Sequence, residues 1–453
     1  MAAFALAACT TVGPDYKRPQ IALPAEYPLE APPGEGEVAA DWWKLYADAT
    51  LDELVAGAQK TNADLRLAAA RVQEAEGALR EARAALFPDV SLAYAASRSR
   101  VSNLGLPTPP PGTIIRPNHQ IVASTNFEVD FWGRYARTSE AAQANLLGSR
   151  LSQDVVAISL AGAIAQGYFA LRSLDAQIAV LESSIKTRSD SLSIARARLD
   201  AGLASELDVH QAQGALSDAL VQRREALRTR ALVERQLAVL TGRLDLKLAA
   251  GDLFALPLPP IPPAGLPSAL LERRPDIRQA EEALVAANAQ IGVARAALFP
   301  TLSLTAAAGV QSAELADLLT SGARIWTLGF ALAAPIFDAG RREARVEQAR
   351  ARREQAVAGY QRAVETGFRE VADALVNVQE TGESETELAT RLQAARSALE
   401  LSVARYEAGY SPYLEVLDAQ RTANDAELAF VRNRQARLAF SVDLMKALGG
   451  GWK

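Results

Sequence analysis

The chain has 453 residues, 49% hydrophobic but only 6% aromatic, with a net charge of −5, two histidines and one cysteine. That charge disfavours a nucleic-acid binder, which presents a cationic face. One cysteine excludes an intrachain disulfide and a thiolate zinc cluster, and two histidines (His119, His210) leave little for a metalloenzyme, so composition points to architecture rather than catalysis.

The chain opens on a short run of small apolar residues, 1–9, ending Leu6-Ala7-Ala8-Cys9. This ending resembles the bacterial lipobox, in which the cysteine is acylated and becomes the mature N-terminus. Cys9 is therefore expected to carry a covalent lipid, and stable anchoring takes more than one acyl chain. Thr10 after the cysteine, where Asp is absent, resembles outer-membrane sorting. Residues 10–50 begin with a Pro-rich stretch lacking apolar periodicity, which predicts an extended tether.

A first unit follows over 51–242. Its pattern predicts a helix at about 51–86, strands at about 89–101 and 120–131, a long helix at about 138–200 and another helix at about 206–241. In 120–131 one face reads Ile121, Ala123, Thr125, Phe127, Val129, Phe131, and the other Gln120, Val122, Ser124, Asn126, Glu128, Asp130. A period of two with one polar face suits a strand between lipid and water. Val90, Leu92 and Tyr94 line one side of its partner. Glu128 and Asp130 share the polar face and are not read as a catalytic pair. The long helix carries Ala157, Ile164, Leu171, Ile178, Ile185, Leu192 and Leu199 at heptad spacing, which predicts coiled-coil packing. At 1.5 Å per residue it spans about 95 Å.

A Pro-rich linker, 243–267, leads to a second unit, 268–453, that repeats the first. Arg83-Ala84-Ala85-Leu86-Phe87-Pro88 recurs as Arg295-Ala296-Ala297-Leu298-Phe299-Pro300, an offset of 212 (295 against 83). Ala201-Gly202 recurs as Ala408-Gly409, an offset of 207 (408 against 201). The second unit is predicted to hold a helix at about 268–298, strands at about 301–312 and 324–336, a long helix at about 341–407 and a helix at about 413–447. Gly202 and Gly409 fit left-handed C-caps at tight helix turns, the far ends of the long rods. Trp132, Trp326 and Phe337 lie near strand ends, where an aromatic belt would stand.

No segment is expected to reach about 18 strongly apolar residues in helix-forming sequence. Any membrane crossing must therefore use a closed barrel, because open strands leave unpaired backbone in lipid. Four strands enclose nothing. Two copies would give eight strands, filled by side chains, whereas three give twelve and room for a lumen.

Taken together, several motifs in order resemble the TolC-type outer membrane factor family, in its lipoprotein branch serving RND-type efflux pumps. They are Cys9-Thr10-Thr11-Val12-Gly13-Pro14-Asp15-Tyr16, Phe131-Trp132-Gly133-Arg134, Arg274-Pro275-Asp276-Ile277, Pro335-Ile336-Phe337-Asp338-Ala339-Gly340-Arg341 and Tyr413-Leu414-Glu415-Val416-Leu417-Asp418-Ala419-Gln420. The resemblance implies a mixed α and β fold: long antiparallel coiled-coil helices in an α-helical barrel, and four strands per chain in a trimeric 12-stranded outer-membrane β-barrel. It implies a homotrimer in the outer membrane with a periplasmic tunnel, working with a periplasmic adaptor protein and an inner-membrane RND-type pump. The tips at Gly202 and Gly409 would meet the adaptor. At the tip, Leu414 and Asp418 match constriction positions, and Arg405 and Asp208 match positions that hold it shut through charge. The expected function is passive conduction of small toxic compounds, with no enzyme activity, no cofactor beyond the lipid at Cys9 and no nucleic acid. The alternatives are a conduit for type I protein or peptide secretion and a periplasmic coiled-coil scaffold.

Overall fold

The structure, a computed structural model, describes residues 11–24, 27, 38–102, 104, 110, 114–261, 268 and 270–451. Cys9, the prolines 107, 109 and 111 between the first two strands, and linker residues 262–267 lie outside the described residues. The helices are α1 (Ala49–Thr61), α2 (Ala63–Ala84), α3 (Arg134–Asp200), α4 (Glu206–Leu240), α5 (Leu270–Arg273), α6 (Pro275–Ala296), α7 (Arg341–Glu407) and α8 (Tyr413–Ala447). The strands are β1 (Ser91–Arg100), β2 (Ile115–Val129), β3 (Thr301–Ser312) and β4 (Arg324–Ala333). Both long helices have 67 residues and both helices that follow them have 35, so the duplication seen in the sequence is reproduced element by element.

Two predicted helices are each divided. Asn62 ends α1 and starts α2: its Oδ1 accepts from the backbone N of Asp64 and Leu65, while its Nδ2 donates to Leu240 O. Arg274 separates α5 from α6 because Pro275 disfavours helical backbone at the residue before it. β2 starts five residues earlier than expected, at Ile115, and includes Pro117. Proline is tolerated there because 115–118 has a neighbour only in β1, the pairing with β3 beginning at His119. β4 stops at Ala333, two residues before Pro335.

The described residues form two compact units. The first comprises 1–20, 72–149 and 280–360. Its centre is one antiparallel sheet of order β1-β2-β3-β4. Beneath the sheet, α3 and α6 meet through Ala141, Ala144, Ala286 and Ala289, small residues that permit close helix approach. The N-terminal segment is strapped onto these helices. Val12 N donates to Trp132 O at 3.0 Å, Arg137 reaches Asp15 at 2.7 Å, and Tyr16 and Arg18 both donate to Glu281. The predicted tether is therefore fixed from Thr11 to Arg18.

The second unit comprises 21–71, 150–279 and 361–453. Its core gathers Trp42 and Tyr46 from a 3₁₀ turn, Leu51 and Val55 from α1, Ile164, Phe169 and Leu171 from α3, Leu237 from α4 and Leu438 and Val442 from α8. The buried Tyr46 hydroxyl and Ser441 Oγ lie 2.7 Å apart. An ionic network pins the segment after α4 to this core. Asp175 accepts from Arg230 Nε at 2.5 Å and from Gly251 N at 3.1 Å, and pairs with Arg172 at 3.2 Å. Arg172 and Arg230 in turn donate to the carbonyls of Ala249 and Leu248. An 18-residue stretch of α3 is apolar enough by composition to cross a membrane, contrary to the sequence expectation, but 56% of that stretch is buried inside the protein.

Candidate functional site

Two regions carry the features that bear on function, one in each unit. The first is the sheet. Its register places Leu92, Ala123, Ala308 and Trp326 on one rung, Thr125, Ala306 and Leu328 on the next and Phe127, Leu304 and Phe330 beyond. With Val129, Leu302 and Leu332 below and Tyr94, Ile121 and Val310 above, these rungs share one face. The alternation read in the sequence thus converges across all four strands. Trp326, Leu328 and Phe330 are each more than 75% exposed, an apolar face that in water would have to be covered. From Val129 to Ile121 the band runs about 27 Å along the strand. At a barrel tilt near 40° that is roughly 20 Å of height, close to the apolar band of outer-membrane barrels.

The opposite face holds Ser91, Ser124 and Thr327, then Asn126 and Thr305, then Glu128 and Ser303. Glu128 is paired with Arg134 at 2.6 Å, and Asp130 accepts from Ala136 N at the start of α3. Trp132 donates to Pro300 O and stacks on Phe299, whereas Trp326 and Phe337 are open. β1 and β4 are both free edges of the sheet. Unpaired strand edges are templates for pairing with another chain.

The second region is the pair of helix turns, α3–α4 and α7–α8. Gly202 has φ +68° and Gly409 φ +81°, a conformation open to glycine but strained for other residues. Gly202 N donates to Leu199 O and Leu203 N to Arg198 O, and the pattern repeats with Gly409 N to Tyr406 O and Tyr410 N to Arg405 O. Each is a Schellman cap. Beneath them, one apolar cluster joins all four helices through Leu192, Ala195, Ala212, Tyr406, Tyr413 and Val416.

The predicted gate residues are only partly brought together. Leu414 is 59% exposed. Asp418 pairs within its own helix with Arg421 at 2.7 Å. Arg405 pairs with Glu415 across the second turn, not with Asp208. Asp208 accepts from Ser205 N, while its own N donates to Ser205 Oγ, so its carboxylate caps α4.

The tie between the two turns comes from a residue that sequence reading missed. Arg198 Nη1 donates to Tyr406 O at 2.6 Å, and its guanidinium lies 4.6 Å from the centre of the Tyr406 ring. Tyr406 meets Tyr413 edge-on at 5.5 Å. The available signal was its position four residues before Gly202 on the last turn of a long helix, where a cation complements the helix dipole. Further from the turns, Gln420 donates to Ser191 Oγ at 2.8 Å, and the buried Arg188 donates to Ala215 O at 2.6 Å. Burial lowers the Arg188 pKa, opposed by Asp218, Tyr413 and Asp425. Buried unpartnered atoms at Gln420, Asn424 and Tyr413 make this layer costly to pack. Among the described residues no three His, Cys, Asp or Glu side chains gather to hold a metal.

The profile of the outer membrane efflux protein family matches residues 54–243 and 266–450. The toluene efflux pump outer membrane protein TtgF of Pseudomonas putida is 35% identical over 469 residues, covering 99% of this chain and 95% of that relative. OprJ of Pseudomonas aeruginosa is 34% identical, covering 99% and 94%. Among solved structures, the CmeC outer membrane channel of Campylobacter jejuni superposes with a TM-score of 0.90 at 25% identity, over 98% of this chain and 96% of that one. The open state of the MtrE outer membrane channel of Neisseria gonorrhoeae gives 0.88 at 29%, over 98% of each.

Proposed function

Because the chain belongs to the outer membrane efflux protein family, we propose that three copies join their sheets edge to edge into one 12-stranded barrel continuous with a helical tunnel. The protein is an outer membrane efflux channel. The observation that carries the oligomer is the sheet itself: four strands with one apolar face, one polar face and two open edges. Twelve strands remove every edge and leave a water-filled bore lined by the polar rows.

In this reading the channel is passive and performs no reaction. Small toxic compounds pass from periplasm to exterior, driven by an inner-membrane RND-type pump through a periplasmic adaptor that meets the turns at Gly202 and Gly409. Cys9 carries the lipid, and the strapped segment from Thr11 follows it in the chain, with Val12 N donating to Trp132 O. No cofactor is assigned. Leu414 and Asp418, gathered from each copy, form the narrowest part of the tunnel. A ring of carboxylates favours cations and repels itself on a shared axis.

The test is conductance of the purified protein in planar bilayers. Discrete channels are expected, and a protein that forms none, or that extracts without detergent, would overturn the reading in favour of a scaffold. Asp418→Ala removes an exposed pair that contributes under about 1 kcal/mol. Stability is therefore expected to hold while conductance rises, and unchanged conductance in the folded variant would remove Asp418 from the gate.

A further inference from the structure

The row of residues on the apolar face of the sheet continues past its apolar band. Above Leu92 and Trp326 comes the rung of Tyr94, Ile121, Val310 and Arg324, then Ala96, His119 and Ser312, then Arg98 and finally Arg100. Arg98, Arg100 and Arg324 therefore stand on the same face as Leu92, Trp326 and Phe330, at the strand ends away from the helices. All three are exposed. None has a side-chain ion pair or hydrogen bond among the described residues.

The charge of the sheet is one-sided. The four strands contain four arginines and a single carboxylate, Glu128. Glu128 lies on the other face, at the opposite end, and is occupied by Arg134. Arg116, the fourth arginine, lies on that other face beside Ser99. The carboxylates in the β3–β4 connection, Glu314 and Asp317, pair with none of the three outward arginines.

An arginine facing hydrocarbon is strongly disfavoured at the bilayer midplane but nearly neutral at the interface. The heights agree, since the arginines begin where the apolar band ends. Three guanidinium groups on the lipid side, without a protein counter-ion, require one from their surroundings. The planar guanidinium fork matches phosphate oxygens two at a time. Resting on the barrel reading above, we infer that Arg98, Arg100 and Arg324 form a basic collar that binds the anionic phosphomonoester groups of lipid A in the outer leaflet.

The experiment reconstitutes the full-length protein in vesicles of phosphatidylethanolamine and diphosphoryl lipid A in equal parts, extracts it gently and weighs the co-purifying lipid by mass spectrometry. Lipid A is expected to be enriched on the order of a hundredfold over phosphatidylethanolamine, with about a fivefold loss for each arginine removed. The R98Q/R100Q/R324Q variant should fall to the bulk ratio, while R98K/R100K/R324K, which keeps the charge but loses the fork, should fall between. Dephosphorylated lipid A should not be enriched, and excess inorganic phosphate should not displace the lipid; displacement would mean a free-ion site and overturn the lipid assignment. A wild type at the bulk ratio, or a glutamine variant that keeps its enrichment, overturns the collar. Bilayer conductance on the same samples separates the two readings: channels without enrichment reject only the collar, and no channels reject the barrel beneath it.

Discussion

Asp175→Ala is expected to destabilise the protein by about 3–5 kcal/mol, the effect of breaking a buried ion pair from one side. The Asp175 side chain is 4% exposed and satisfies Arg172, Arg230 and the backbone N of Gly251. Without it the Arg172 guanidinium, at 5% side-chain exposure, loses its carboxylate, and Arg230, at 17%, keeps only Glu234 at 3.5 Å. The segment they hold carries Leu246, Leu253 and Leu256 into the core, so its release also exposes apolar surface. Crowding makes the site intolerant: a Cβ at Gly251 would stand 1.9 Å from Arg172 Nη1. The comparison is Arg223→Ala, which breaks the exposed pair with Glu182 and is expected to cost under about 1 kcal/mol. Denaturation midpoints of the detergent-solubilised proteins measure the difference. Equal shifts in the two variants would show that the network does not hold the segment.

Arg198→Ala is expected to open the channel. Its hydrogen bond to Tyr406 O and its stacking on the Tyr406 ring link the α3–α4 turn to the α7–α8 turn. A charged hydrogen bond of this kind contributes about 1.5–3 kcal/mol. If opening breaks it, removing about 2 kcal/mol from the closed state raises the open population roughly thirtyfold while that state is rare. Conductance and leakage of toxic compounds should both rise. Arg198→Lys keeps the charge but loses the planar fork, and should fall between. A folded Arg198→Ala protein with wild-type conductance would show that the tie carries no gating energy.

The strand faces and the turns were legible in the sequence because each follows from local geometry. Alternation at Ile121 to Val129 has one consistent reading on a pleated strand, and the register bears it out across all four strands. Gly202 and Gly409 were legible because a Schellman cap calls for a left-handed residue at that place. The break at Asn62 was not, since its cause is a hydrogen bond to Leu240, which is remote in sequence. The break at Arg274 is announced by Pro275, which the expectation of one helix over about 268–298 left out. Trp42 and Tyr46 fall beyond the tether, in a segment with no predicted element, because a single 3₁₀ turn has no periodicity to detect. The partners of Asp208, Arg405 and Asp418 depend on side-chain reach around the turns, which spacing does not determine.

The central claim is that separate copies complete one barrel through the edges of β1 and β4. It is tested most directly by disulfide trapping in a Cys9→Ala background, with Ala93→Cys on β1 combined in turn with Ile325→Cys, Thr327→Cys or Gly329→Cys on β4. Oxidation is expected to give a ladder that stops at three chains, with at least one pairing yielding a closed, heat-resistant trimer. A protein that stays monomeric in every pairing, or a ladder that extends without a limit, would contradict it.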